Sequence, residues 1–106
     1  MIVHALGQGC EMDKILDICK KYKLLLIEDT CESIGSTYNN QYLGSFGEFA
    51  SLSFYFSHHI TSIEGGMILT NNDAYADIIR SVIANGWFRD IRDDELKKIS
   101  MKIPKL

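Results

Sequence analysis

The hydrophobic and polar positions of this chain follow two periods, one typical of buried strands and one of amphipathic helices. Residues 24–27 form a run of four apolar residues, which favours a parallel strand buried on both faces. Residues 11–22 place apolar side chains at helical spacing and carry two lysines near the negative end of the helix dipole. With a short apolar strand at residues 2–6, this pattern predicts a right-handed βαβ unit.

The second half of the chain continues the alternation of strands and helices. The Asn-rich stretch 38–42 predicts a hairpin, and residues 51–56 and 66–70 predict two more strands. Asn72 is expected to cap a helix that stops at Gly86. The apolar face of this helix would be formed by Tyr75, Ile78, Ile79, Val82 and Ile83.

This order of elements predicts an α/β fold with a parallel sheet. We assign residues 1–90 to one fragment of a domain and residues 91–106 to a charged C-terminal continuation, in which 92–98 is predicted to be a short helix. At 106 residues, the chain is long enough for one modest core.

Composition limits the classes of partner. The formal net charge is −3 and no basic stripe is present, which argues against nucleic acid and anionic membrane surfaces. No apolar run is long enough to span a bilayer and no signal peptide is apparent. The three cysteines lack metal or redox spacing, so we expect reduced thiols in a cytoplasmic protein.

Asp29 is the first candidate for chemistry because it lies at the carboxyl end of the predicted buried strand. A carboxylate in that position can keep a pyridine nitrogen protonated, as pyridoxal phosphate enzymes require. Taken alone, the same aspartate is more simply explained as a cap of the following turn.

Three segments in a fixed order strengthen the functional interpretation. They are Ile27-Glu28-Asp29-Thr30-Cys31-Glu32, Gly44-Ser45-Phe46-Gly47, and Ser53 through Gly66. From Val3 to Asp90 the chain resembles the DegT/DnrJ/EryC1/StrS sugar aminotransferase family. The resemblance implies a partial large domain of the aspartate aminotransferase (fold-type I PLP) fold.

Two residues depart from the common pattern of that family. His58 stands where the family has its cofactor-linking lysine, and Glu32 stands where it has Gln or His. Imidazole cannot form the stable covalent link to an aldehyde cofactor that a lysine amine forms. The run His-His-Ile-Thr and the segment Gly86–Asp90 resemble a histidine-containing branch of pyridoxamine phosphate (PMP)-dependent 3-dehydratases acting on nucleotide-linked 4-keto-6-deoxyhexoses.

The resemblance assigns a role to each site residue. His58 would act first as base and then as acid, a task suited to imidazole. Asp29 would stabilise the pyridinium, Glu32 would contact other cofactor substituents, and Ser53 would bind the phosphate. The implied cofactor is pyridoxamine or pyridoxal 5′-phosphate. The implied partners are a nucleotide sugar, an amino donor such as glutamate, and a second subunit in a homodimer, in a pathway to deoxysugars of surface polysaccharides such as lipopolysaccharide O-antigen.

Simpler roles exist for the same residues. The His58–His59 pair could be structural or partly solvated, Glu32 a surface carboxylate, and Ser53 a strand residue with an idle hydroxyl. A metal site built from His58, His59 and Glu64 fits no standard ligand spacing, so we assign no metal. At the level of function, the alternatives are a nucleotide-sugar aminotransferase and a truncated remnant without activity.

Overall fold

The computed structural model of the chain describes residues 1–85 and Asp94. The chain divides into two compact units, Met1–Thr70 and Asn71–Leu106, and each is described by itself. The strands, in chain order, are β1 (Ile2–Val3), β2 (Ile27–Asp29), β3 (Thr37–Tyr38), β4 (Gln41–Tyr42), β5 (Phe49–Ser53) and β6 (Gly66–Leu69). The helices are α1 (Met12–Tyr22) and α2 (Asp73–Ile83), and a short 3₁₀ turn lies at Ala5–Gly7.

The first unit is built on a four-stranded sheet in the order β1-β2-β5-β6. β1 pairs with β2 and β2 pairs with β5, both in parallel, and this confirms the predicted parallel βαβ arrangement. The register aligns Val3 with Asp29 and Asp29 with Ser51. Asp29 therefore ends the strand that lies between two parallel neighbours.

β6 pairs with β5 in the antiparallel direction, from Ala50 opposite Leu69 to Ser53 opposite Gly66. A parallel pair needs a crossover that carries the chain back to the start of the sheet, commonly through a helix. Residues 54–65 contain no helix, and the chain folds back directly. The sheet is thus parallel in three strands and antiparallel at one edge.

Helix α1 confirms the helix predicted at residues 11–22. Its buried face contributes Met12 to a small core with Leu26 and Leu43. The helix ends at Tyr22. Its C-cap, Lys23, takes a left-handed conformation (φ 53°), and the Leu24 N–H bonds back to the Cys19 carbonyl at 2.9 Å. Such a closing turn is an ordinary helix terminus.

This helix exit explains why the strand predicted at residues 24–28 begins only at Ile27. Leu24 belongs to the closing turn of the helix. Leu24 and Leu25 are 54% and 63% exposed, whereas Leu26 is buried. The prediction that all four apolar residues are buried on both faces is therefore wrong for this unit.

The hairpin lies where it was predicted, whereas the limits of β1 and β5 differ from their predictions. Asn39 and Asn40 both have positive φ, at 48° and 63°, and connect β3 to β4 as the predicted hairpin. The first strand stops at Val3, short of the predicted residue 6, because the chain enters the 3₁₀ turn, in which Leu6 has φ 53°. β5 begins two residues earlier than predicted and ends at Ser53.

In the second unit, Asn72 caps α2 as predicted, since its side-chain oxygen accepts a hydrogen bond from the Tyr75 N–H at 3.1 Å. The predicted stop at Gly86 and the predicted domain boundary at residue 90 lie outside the described residues, as does the predicted helix at 92–98 except for Asp94. Within the described part of the chain, no helix is long and apolar enough to cross a membrane.

Candidate active site

Asp29 is held at the carboxyl end of β2 by two donors to one of its oxygens. Oδ1 accepts the Cys31 backbone N–H at 3.0 Å and the Ser51 hydroxyl at 3.2 Å. The first contact is the turn that aspartate commonly makes with its own backbone two residues on. The second reaches across the sheet from β5, so the orientation of the carboxylate is set by both local and tertiary structure.

These donors change the acidity of Asp29. The pKa of the Asp29 carboxyl is lowered from its ordinary value of 3.8, chiefly by hydrogen bonding with the Cys31 side chain. Partial burial opposes the lowering of this pKa, while the Cys31 amide, the Ser51 hydroxyl and the charge of His58 add to it. Asp29 is therefore a carboxylate over the physiological pH range, as a partner of a pyridinium must be.

The thiol beside Asp29 behaves in the opposite sense. Burial, followed by hydrogen bonding with Asp29, raises the pKa of the Cys31 thiol above its ordinary value of 9.0. The thiol remains protonated at neutral pH, and its sulfur lies 3.7 Å from the Ser51 hydroxyl oxygen. The thiol also lies 4.0 Å from the Ser51 carbonyl oxygen, to which it is a weak hydrogen-bond donor.

His58 lies in the loop that follows β5, where its N–H bonds to the Tyr55 carbonyl at 3.0 Å. Its ring meets the Tyr55 ring edge-on, with 6.1 Å between centroids. The Nδ1 atom of His58 is buried and has no hydrogen-bond partner. A buried ring nitrogen without a partner is costly in a purely structural histidine, and it is often a sign of a functional one.

His58 faces a cavity of about 550 Å³. The wall of this cavity is formed by Leu6, Glu32, Ser57, His58 and His59. The volume lies in the range of small-molecule sites, and two imidazoles, a carboxylate and a hydroxyl converge on it. The structure therefore brings together two of the predicted site residues, His58 and Glu32.

Glu32 is fixed by the 3₁₀ turn after β1. Its Oε2 accepts the Leu6 N–H at 2.9 Å. Leu6 has a left-handed backbone (φ 53°), which is uncommon for a residue with a branched side chain. The contact joins the segment after β2 to the turn after β1 beside the cavity.

Ser53 ends β5, and its hydroxyl oxygen accepts the Tyr55 N–H at 3.2 Å. Because the oxygen is the acceptor in that bond, the hydroxyl proton is available to a ligand. Asp29 and Ser53 are not among the described residues that line this cavity. Asp29 is nevertheless coupled to the cavity through the charge of His58.

Three residues of the site, Leu6, Ser51 and Ser57, received no role in the sequence analysis. Ser57 and Leu6 lie on the cavity wall, and Ser51 bonds to Asp29. His59, to which the sequence assigned no role, also lines the cavity. The sequence placed Ser51 in a predicted strand, and the register of β2 with β5 pairs it with Asp29. Within residues 1–85, no three ligating side chains are grouped closely enough to hold a metal ion.

Comparison with known proteins identifies the family. Residues 1–102 match the DegT/DnrJ/EryC1/StrS aminotransferase family. The chain belongs to this family. The resemblance drawn from the three sequence segments is thereby confirmed, over a slightly longer stretch than Val3 to Asp90.

Relatives within the family include both dehydratases and aminotransferases. The chain is 44% identical over 90 residues to dTDP-4-dehydro-2,6-dideoxy-D-glucose 3-dehydratase of Saccharopolyspora spinosa, covering 85% of this chain and 19% of the relative. It is 44% identical over 86 residues to GDP-perosamine synthase of Caulobacter vibrioides, covering 81% and 23%.

A solved family member matches most of the described structure. Escherichia coli GDP-4-keto-6-deoxy-D-mannose-3-dehydratase with bound hydrated PLP superposes with a TM-score of 0.78 at 34% identity, covering 94% of this chain and 28% of that one. This likeness confirms the predicted fold, a part of the large domain of a fold-type I PLP enzyme. The chain spans about a fifth of the length of the curated relatives it matches.

Proposed function

We propose that the protein is a PMP-dependent 3-dehydratase of a nucleotide-linked 4-keto-6-deoxyhexose, with His58 as its acid–base residue. The observation that carries the proposal is the imidazole at the family's lysine position, facing the cavity that it shares with Glu32. An imidazole can move protons without linking covalently to the cofactor. This combination favours proton transfer on a freely bound cofactor over the usual lysine-linked route.

The cofactor follows from the family, and the expected pyridoxamine or pyridoxal 5′-phosphate is confirmed by it. When bound, this group supplies an electron sink that allows a hydroxyl to be expelled from the neighbouring carbon of the sugar. The residues present fit such a group. The Asp29 carboxylate lies at the end of β2, the Ser53 hydroxyl at the end of β5, and the His58 imidazole in the loop that follows β5. All other chemistry in the proposal is assigned to side chains of this chain.

Asp29 would bind the pyridine nitrogen and keep its proton in place. Its lowered pKa keeps the carboxylate charged, and the two donors at Oδ1 leave Oδ2 for a new partner. Ser53 would donate its hydroxyl proton to a phosphate oxygen of the cofactor while continuing to accept the Tyr55 N–H. These two residues would orient the cofactor from its two ends.

Glu32 would present its second oxygen to the cofactor or its amine. Oε2 accepts the Leu6 N–H, which leaves Oε1 for another partner, and Glu32 lines the cavity. His58 would remove a proton from the cofactor's aminomethyl carbon and afterwards return a proton as the hydroxyl leaves. The unpaired Nδ1 of His58 suits a residue whose hydrogen-bonding pattern is completed only when the site is filled.

The wider setting is part of the same proposal. The pathway would lead to 3-deoxy or 3,6-dideoxy sugars of a surface polysaccharide. The amino donor that restores the cofactor amine would be glutamate or a similar amino acid, and the complete protein would work as a homodimer.

A nucleotide-sugar aminotransferase is the second candidate, and the 44% identity to GDP-perosamine synthase favours it. Its usual chemistry needs a lysine at the position of His58. Reduction with borohydride separates the two functions, because only a covalent link between cofactor and protein can be trapped. A cofactor adduct trapped on a lysine of the protein would support the aminotransferase.

The decisive experiment uses the protein encoded by its complete gene, incubated with PMP, glutamate and a panel of GDP- and dTDP-linked 4-keto-6-deoxyhexoses. We expect a product that has lost one oxygen atom, measured by mass spectrometry. A product whose keto oxygen has been replaced by an amine would establish the aminotransferase. No gain in thermal stability at saturating PMP would instead support a remnant without activity, since a ligand at 100 times its Kd adds about 2.7 kcal/mol.

A further inference from the structure

Ser51 lies directly across the sheet from Asp29, on the next parallel strand. We propose that Ser51 is a positioning residue for Asp29: its hydroxyl holds Oδ1, so that Oδ2 is the atom presented to the ring nitrogen of the cofactor. The inference rests on the proposed function for the identity of the ligand. The Ser51–Asp29 relation itself rests on the geometry of the chain.

The first argument is the distribution of donors around the carboxylate. The Cys31 N–H, at 3.0 Å, and the Ser51 hydroxyl, at 3.2 Å, both donate to Oδ1 of Asp29. Neither of these two donors reaches Oδ2. A carboxylate with one saturated oxygen and one open oxygen has a single preferred direction in which to accept another N–H.

The second argument concerns the direction of the Ser51 proton. The carbonyl of Ser51 already accepts the Thr30 hydroxyl at 2.7 Å and the Thr30 N–H at 3.0 Å. The Cys31 sulfur is nearer to the Ser51 hydroxyl oxygen, at 3.7 Å, than to that carbonyl, at 4.0 Å. The Ser51 hydroxyl itself donates to Oδ1 of Asp29.

Ser51 and Cys31 therefore both stabilise the Asp29 carboxylate by hydrogen bonding. Hydrogen bonds donated to a carboxylate favour its charged form. The titratable groups that act on Asp29 are the Cys31 thiol in the adjoining turn and His58 in the loop after β5. An ionised Asp29 would keep the shared proton on the cofactor nitrogen and off the carboxylate.

The test begins without cofactor, on the protein encoded by its complete gene. The carboxyl carbon of Asp29 is followed by ¹³C NMR from pH 7 into the acid range. We expect Ser51→Ala to raise the pKa of Asp29 and Ser51→Thr, which keeps a hydroxyl, to return that pKa toward the unsubstituted value. Thr30→Val is the matched control: it removes a buried hydroxyl that bonds the Ser51 carbonyl and not the Asp29 carboxylate, and should leave the Asp29 titration unchanged.

The second readout is made with PMP carrying ¹⁵N in its ring. In Ser51→Ala the ¹⁵N signal of the bound ring should move toward that of the unprotonated nitrogen, and PMP should bind roughly tenfold more weakly. An unchanged Asp29 titration in Ser51→Ala, or an equal shift in Thr30→Val, would overturn the inference. Failure of the unsubstituted protein to bind PMP, with the Asp29 titrations as expected, would count against the proposed function and leave the Ser51–Asp29 relation standing.

Discussion

His4 donates a hydrogen bond from Nε2 to Oε2 of Glu28 at 3.1 Å, and both side chains are completely buried. The ring proton is on Nε2 because Nδ1 accepts the Cys10 N–H at 3.2 Å. Glu28 also accepts three backbone N–H groups, from Gly44 at 2.7 Å, Phe46 at 2.8 Å and Gly47 at 2.6 Å. The Glu28 carboxylate thus connects the segment after β1 to the 44–47 loop. Glu28 is the neighbour of Asp29 in β2.

Replacing Glu28 with Gln should strongly destabilise the first unit. The amide nitrogen cannot accept the backbone N–H groups that the lost oxygen accepted, and these donors stay buried. We expect the free energy of unfolding to fall by about 3 kcal/mol, measured by urea denaturation. Glu48→Gln, at an exposed position of the same segment, is the control and should change stability by less than about 0.5 kcal/mol. Equal effects of the two substitutions would contradict the role of Glu28.

The 44–47 loop makes a second, steric prediction. A Cβ on Gly47 would lie 2.6 Å from the carbonyl oxygen of Leu26, a backbone atom that cannot move aside easily. Gly47→Ala should therefore cost about 3 kcal/mol of unfolding free energy. Gly35→Ala is the comparison, because Gly35 has φ +82° but open space around it, and strain alone should cost about 1 kcal/mol. A smaller loss at Gly47 than at Gly35 would show that the loop can shift.

The elements that the sequence predicted well depend on local signals. The apolar spacing of residues 11–22 predicted α1, the Asn39-Asn40 pair predicted the hairpin, and Asn72 predicted the start of α2. Each signal acts over a few residues: a helical period, a pair of residues that tolerate positive φ, and a side chain that caps the next turn. Strand limits were less accurate, since Leu24 and Leu25 are apolar but belong to a helix exit and an exposed connection.

The relations that complete the site depend on contacts between distant segments. Ser51 meets Asp29 across 22 residues, and His4 meets Glu28 across 24. Neither pair follows from periodicity, because one residue of slippage in a strand would turn each side chain to the other face. The strand at residues 66–70 was predicted, but its antiparallel direction was not, because a run of apolar residues looks the same in either direction. The resemblance to the family motifs identified the candidate site residues. The register of the strands shows which neighbouring residues hydrogen-bond to them.

The ionisation of Asp29 predicts a pH dependence of stability. Its folded pKa lies below the ordinary value of 3.8, so the charged form stabilises the fold above that value. This contribution is lost as the pH falls through the lowered folded pKa. In thermal unfolding from pH 6 to pH 2, the Tm difference between the unsubstituted protein and Asp29→Asn should shrink toward the acid end. A Tm difference that is constant over this range would contradict the assignment.

Two substitutions of Glu32 distinguish the effect of its charge from the effect of its hydrogen bond with the Leu6 N–H. Glu32→Gln keeps an oxygen that can accept the Leu6 N–H, and Gln is one of the residues that the family pattern has at this position. We expect Glu32→Gln to change the free energy of unfolding by less than about 0.5 kcal/mol, and Glu32→Ala to lower it by about 1 kcal/mol. If both substitutions destabilise the protein equally, the charge of Glu32 contributes more than its contact with Leu6.

His58 and His59 offer the sharpest test of the chemistry, because adjacent residues of the same type line one cavity. His58→Asn removes the proposed base but keeps a polar side chain of similar size. We expect it to lower dehydration by at least about a hundredfold, the lower end of what general acid–base catalysis contributes, while PMP binding changes little. Binding is measured by isothermal calorimetry and turnover by mass spectrometry of the sugar.

His59→Asn is the matched control for that substitution. It changes the same side chain one position along the loop, at an exposed site. If His58 is the acid–base residue, the loss of turnover should be confined to His58→Asn, and the pH dependence of turnover in His59→Asn should follow that of the unsubstituted protein. Turnover retained by His58→Asn would remove His58 as the base. Turnover lost only in His59→Asn would assign the acid–base role to His59. Both imidazoles line the same cavity, and His58 is the more buried of the two.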